Sequence, residues 1–206
     1  MRNSFLAELA EIIRLGLNRR KTKIIGHVGR FPKRQLFLAL NDTRKLFESH
    51  FRCPVTSRWS VGRKKAVPQK TLVLEYLVDY GICRFSIPQA IRQKRQGRRD
   101  LRPNQSYEIL LAAESELGND NEVARDLLKL LDVRSRIRCL IFMNRPRVKQ
   151  RLYRRIEWVL AHHAHYKPRD PLLLVGISPA KNENFVDEID FSIVRRGTIT
   201  NLFPRN

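Results

Sequence analysis

Phe5, Leu6, Leu9, Ile12, Ile13 and Leu17 recur at intervals that place them on one face of a helix. Asn3 or Ser4 stands where the start of that helix needs a cap. A basic, glycine-containing link, RRKTKIIGHVGRFPK, leads to a second helical pattern from about Arg34 to Phe51. PVTSRWSVGRKKAVPQK then begins like a strand and is punctuated by Pro54, Gly62 and Pro68. TLVLEYLVDYGICRF, Thr71 to Phe85, is rich in residues that favour strands, although its first half also suits a helix. If extended, it turns Leu74, Tyr76, Val78 and Tyr80 to one side and Glu75, Leu77, Asp79 and Gly81 to the other.

PQAIRQKRQGRRDLRPNQ, Pro88 to Gln105, is short of apolar residues and dense in arginine, so it reads as a basic loop. The next apolar run, YEILLAAESE, predicts a strand that ends with Glu114 and Glu116 on one face. NDNEVARDLLKLLDV predicts a helix capped by Asn119 or Asn121, with acids early and Val123, Leu127, Leu130 and Leu131 as its buried stripe. RIRCLIFM reads as a core strand, followed by an arginine-rich helix from about Arg147 to His165. PLLLVGI and FSIVRRGTI supply two more strands, separated by an acidic loop with Glu183, Asp187, Glu188 and Asp190. This alternation predicts an α/β fold with a mixed central sheet flanked by helices. The expected organisation is a single domain over 1–206: an N-terminal helical part at 1–52, a core at 70–143 and the basic loop at 88–105.

Charge changes the picture from fold to partner. Lysine and arginine number 41 against 20 acidic residues, a net charge of +21 over 206 residues. Such an excess attracts a polyanion at long range, and nucleic acid is the commonest one. No apolar run approaches a membrane span, so a membrane partner is not expected. The amino-terminal segment is interrupted by Glu8, Glu11 and Arg14 and lacks a small-residue cleavage site, unlike a signal peptide. Cys53, Cys83 and Cys139 form no CxxC pair and have apolar neighbours, which suits reduced core thiols. A cytoplasmic protein is the expectation.

Against this basic background the acids at the end of one apolar strand stand out. Glu114 and Glu116 are close and alike in charge, which is unfavourable unless a cation, a proton or nearby arginines compensate. Asp79 lies inside another apolar run, where a bare carboxylate is costly. Together the three offer hard oxygen ligands to Mg²⁺ or Mn²⁺. Such an ion polarises a phosphodiester and lowers the pKa of an attacking water. The bland alternative is a loop start whose acids pair with arginines. Arg92, Lys94, Arg95, Arg98, Arg99 and Arg102, between the two acidic strands, would grip backbone phosphates without reading sequence.

The order of a helix, a strand with Asp79, a strand ending Glu114-Ser115-Glu116, a helix and then RIRCLIFM resembles the core of the PD-(D/E)XK nuclease superfamily. The resemblance covers roughly residues 70 to 143, with the first helix as a preceding element. It implies a restriction-endonuclease-like core and a metal-dependent endonuclease, acting in the leading reading on DNA. Asp79 takes the place of the first metal-binding acid, Glu114 of the second, and the Ser115 carbonyl that of a further ligand. Glu116 stands where the family usually has lysine, although some members carry glutamate there. Lys129, on the following helix, is placed to supply a displaced lysine. Val78 replaces the family's proline, and the basic loop lengthens the separation between Asp79 and Glu114. Double-strand cutting would favour a homodimer.

Other candidates are weaker. Glu75, and Glu8 or Glu11 on the first helix, are candidate further carboxylates. Gly26 and Gly29 in IIGHVGR resemble the GxxG loop of KH RNA-binding domains, but Pro32 follows and no strand precedes them. His162, His163 and His165 cluster at a helix end with too few ligands for a zinc site. No GxSxG, HExxH, P-loop or dinucleotide fingerprint is present. The rival readings are a nucleic-acid-binding protein without activity and a basic subunit of a nucleoprotein complex.

Overall fold

The apolar stripe of the first helix folds as α1, Asn3–Ile24, and buries Phe5, Leu6, Leu9, Ala10, Ile13 and Leu17. The helix continues through six residues of the expected basic link before it ends. The computed structural model describes residues 3–24, 33–59, 78–85, 107–116, 119–144, 149–164, 166–167, 171–179, 186–195 and 197–203. The segment expected as a second helix is two helices, α2 (Lys33–Asn41) and α3 (Arg44–Phe51). The break falls at Asp42 and Thr43, whose short polar side chains compete with helical backbone bonds. Buried Thr43 donates its hydroxyl to the Leu40 carbonyl at 2.6 Å, and Arg20 of α1 holds Asp42 at 2.6 Å. Gly16 lets α2 approach α1, since a Cβ there would stand 3.1 Å from the Ala39 backbone.

Among the described residues seven strands form one sheet, in which strands adjacent in space follow one another in the sequence. They are β1 (Thr56–Trp59), β2 (Tyr80–Phe85), β3 (Tyr107–Glu116), β4 (Ser135–Met143), β5 (Leu172–Pro179), β6 (Val186–Arg195) and β7 (Thr198–Asn201). The pairings β1–β2 and β2–β3 are antiparallel, β3–β4 and β4–β5 parallel, and β5–β6 and β6–β7 antiparallel. The sheet is therefore mixed, as expected. Each parallel step needs a crossover, and helices lie in both: α4 (Asp120–Asp132) between β3 and β4, and α5 (Lys149–His162) between β4 and β5. Central β4 accordingly buries every residue from Ile137 to Phe142, the pattern of a strand covered on both faces.

Two apolar clusters cover the two faces. On one side α1, α2 and α3 pack on Tyr80, Ala113, Ile141, Val175, Phe191 and Ile193. On the other, α4 and α5 pack on Ile109, Ala112, Leu140, Phe142, Leu172 and Leu174. The cap of α4 is Asn119, whose side-chain oxygen accepts from the N–H groups of Asn121 and Glu122 at 3.0 and 3.2 Å. The stripe of Val123, Leu127, Leu130 and Leu131 is buried as its spacing predicts.

Several expectations are corrected. Asp79 lies in a bend before β2, so Val78 and Tyr80 do not share a face but enter opposite clusters. A bulge between Ile82 and Cys83 puts Leu110 and Leu111 of β3 both into the α1 cluster. The expected acidic loop is largely strand, because Asp187, Glu188 and Asp190 belong to β6. FSIVRRGTI is not one strand but the hairpin of β6 and β7, with Gly197 at φ 80° in its turn. Cys83 and Cys139 are buried and Cys53 half-buried, all as free thiols. Glu75, Gly26, Gly29, the basic loop 88–105 and His165 lie outside the described residues. Among the described residues no helix is long and apolar enough to cross a membrane.

Candidate active site

Register decides which way the acids of β3 point. Glu114 lies opposite Leu140 and Glu116 opposite Phe142 on parallel β4, and both partners belong to the face covered by α4 and α5. Glu114 and Glu116 therefore share that face, and Ser115 takes the other. Glu114 is 3% exposed and Ser115 wholly buried, while Glu116 at the strand end is half-buried.

Asp79 reaches this triplet from the bend before β2. Its Oδ2 accepts the Ser115 backbone N–H at 3.1 Å and the Ser115 hydroxyl at 2.9 Å. The antiparallel pairing of β2 with β3 stops at Tyr80 and Ala113, so the aspartate takes over a backbone donor that the neighbouring strand no longer meets. Asp79 is thereby fixed to the strand that carries Glu114.

A cation closes the group from above. Lys129 on α4 donates from Nζ to Oδ1 of buried Asp126 at 2.5 Å. Partial burial disfavours its charge, but the bond to Asp126 and the charges of Glu114 and Asp79 outweigh that cost and raise its pKa above the ordinary lysine range. Helical spacing explains the reach: Asp126 and Lys129 are three residues apart on one face of α4, which packs over β3 and β4. Asp79 thus lies against the strand of Glu114, and the charges of both act on Lys129, whose side chain is half exposed on α4.

Other expected groups are kept apart. Among the described residues no three His, Cys, Asp or Glu side chains form a group that could hold a metal ion. Glu11 is bound by Arg14, which lowers its pKa, on a helix packed against the opposite face of the sheet. His162 places Nδ1 2.7 Å from the Trp158 carbonyl, whereas His163 lies 3.2 Å from Asp132, so these two histidines serve different partners. Arg92, Lys94, Arg95, Arg98, Arg99 and Arg102 are outside the described residues.

Sequence reasoning missed a second polar group on the same face, where β4 ends. Asn144 Nδ2 and Lys149 Nζ both donate to Asp190 Oδ2, at 2.7 and 2.8 Å. Asn144 and Asp190 are buried, and Gly176 makes room, since a Cβ there would be 3.1 Å from Asn144. In the sequence Asp190 closes a run of acids with Asp187 and Glu188, which reads as a loop. Comparison with known proteins finds no matching family model, no matching curated protein and no matching solved structure.

Proposed function

We propose that the protein is a metal-dependent nuclease that hydrolyses phosphodiester bonds in DNA. The observation that carries this reading is the hold of Asp79 on Ser115, which sets it beside Glu114 at the carboxyl end of β3, below the helix that carries Lys129. Three antiparallel strands, a helix and a fourth strand parallel to the third follow one another here, with an acid before the second strand and acids ending the third. That succession supports the PD-(D/E)XK resemblance, and the position of Lys129 supports a displaced lysine.

Asp79 and Glu114 would hold Mg²⁺ or Mn²⁺, with the Ser115 carbonyl as a further ligand. Magnesium commonly takes one or two carboxylates and completes its shell with water and substrate phosphate, so a two-acid donor set suits it. The bound ion would polarise the phosphoryl oxygens and acidify a water. Lys129 neutralises charge on the phosphate, and Glu116, at the open end of the strand, orients or deprotonates the attacking water. A net charge of +21 draws the polyanion toward these acids.

One observation favours a second reading. Asp79 is already bonded to Ser115 and Asp126 to Lys129, as structural acids would be. In that case the protein is a non-catalytic nucleic-acid-binding protein or a basic subunit of a nucleoprotein complex.

Incubation with supercoiled plasmid in EDTA, Mg²⁺ or Mn²⁺ separates the two. Nicking that requires metal and disappears in Asp79→Ala and Glu114→Ala is the expected result. Binding without cleavage of plasmid, single-stranded DNA or RNA, unchanged in both variants, would favour the second reading.

A further inference from the structure

Helix α5 hides Leu152, Ile156, Val159 and Leu160 against the sheet, yet leaves Trp158 62% exposed. No other large apolar side chain among the described residues is as exposed. The indole is not loose: it stacks on His162, with centroids 4.5 Å apart and planes 25° from parallel. His162 is itself held by the Trp158 carbonyl. One broad aromatic face is therefore presented to solvent in a fixed orientation.

Arg151, Arg155, Trp158 and His162 follow one another at spacings of four, three and four, which places them in one stripe along the helix. Arg154, beside the stripe, is also exposed. The stripe starts next to the candidate active site. Arg151 bonds Asp120 at 2.7 Å and Arg155 bonds Asn121 at 2.5 Å, both in the first turn of α4, just past the end of β3. Trp158 lies seven residues beyond Arg151, roughly 10 Å along the helix axis. The Arg151 side chain is 70% exposed and that of Asp120 20%, so the guanidinium has room to turn from the carboxylate to a phosphate.

We propose that this stripe is a stacking platform for single-stranded nucleic acid, with the arginines on phosphates and Trp158 on one unpaired base. A duplex keeps its bases stacked inside, whereas a single strand offers a free π-face to an indole. Cations and an exposed aromatic on one helix face match that chemistry. The inference rests on the nucleic-acid reading above and names the form of substrate, but it does not require cleavage. A strand held here would be led toward Asp79 and Glu114 by Arg155 and Arg151, so that an unpaired segment lies beside the acids.

The test is equilibrium binding of the full chain in EDTA to a fluorescent oligothymidylate and to a duplex of the same length. Trp158→Ala should weaken single-strand binding about tenfold and leave duplex binding and the melting temperature unchanged. Trp158→Phe should restore most of the loss. Saturation with single strand should quench wild-type tryptophan emission by more than it quenches that of the Phe variant. Equal affinity of wild type and Trp158→Ala for the single strand would overturn the platform and leave the indole as a docking point for a protein. Loss of binding to both forms in Trp158→Ala would also overturn it. Failure of the wild type to bind either nucleic acid would defeat this inference and the nuclease reading together. Trp158-dependent binding without metal-dependent nicking would defeat the nuclease reading alone.

Discussion

Ser115 gives both of its donors, the backbone N–H and the side-chain hydroxyl, to a single oxygen of Asp79. The residue between the two glutamates is thus what ties the acid before β2 to the strand that carries them. Ser115→Ala removes the hydroxyl and keeps the N–H. It should cost about 1 kcal/mol of stability, read by urea denaturation, and reduce metal-dependent nicking about tenfold by loosening Asp79. Unchanged nicking in a variant destabilised by that amount would show that the hydroxyl serves the fold and not the acid.

Lys129 links stability to pH. Its pKa is raised in the folded protein by Asp126, Glu114 and Asp79 against an opposing burial cost. A group with a higher pKa folded than unfolded stabilises the fold while it is charged. That contribution is complete below the ordinary lysine value of 10.5 and is lost as pH rises through the folded value. Lys129→Met should therefore be less stable at neutral pH, by about 1 kcal/mol since the ammonium is half exposed. The gap to wild type should close above the ordinary lysine pKa. Denaturation followed from pH 7 upward measures both curves, and parallel curves would refute the linkage. Nicking by the variant should fall about a hundredfold.

Arg138 closes the carboxyl end of α4 from inside the sheet. It is 5% exposed, donating from Nε to the Leu130 carbonyl at 2.9 Å and from Nη2 to the Val133 carbonyl at 3.0 Å. Arg138→Met keeps an apolar stem but removes the donor to the Val133 carbonyl, while the Leu130 carbonyl keeps the Val133 N–H at 3.3 Å, at a cost of about 2 kcal/mol. Arg138→Lys should recover little of it, because one ammonium lacks the planar fork that reaches both oxygens. Chemical denaturation reads both, and a loss under about 0.5 kcal/mol would mean that water replaces the guanidinium.

Periodicity made much of this legible. β3 occupies Tyr107–Glu116, the run the pattern marked, because its alternation survives all but the one bulge. The cap and stripe of α4 were equally plain, since both are local properties of the chain. What escaped was decided at a distance. Arginine reads as an exposed residue, so nothing marked Arg138 as buried; only the arrival of the helix end over β4 makes its position favourable. Asp79 falls not in the strand its alternation suggested but in a bend before β2, where it meets Ser115, 36 residues away. Asp190 sits in a run of acids that looks like a loop, and becomes strand because Asn144 and Lys149 compensate its charge. The carboxylates of the candidate site were visible as types; the bend that joins two of them was not.

Among the described strands, each pairs with the next in the sequence, so none has to be threaded between two that are already joined. On the ribosome such a sheet can lengthen in one direction as each strand emerges. The helix that begins it has the longest wait. α1 shares its buried cluster with Phe191 and Ile193 of β6, which are synthesised on the order of ten seconds or more later. Until then its apolar stripe has only α2, α3 and the growing sheet to shelter it, so that stripe stays open to chaperones and to aggregation while the later strands are made.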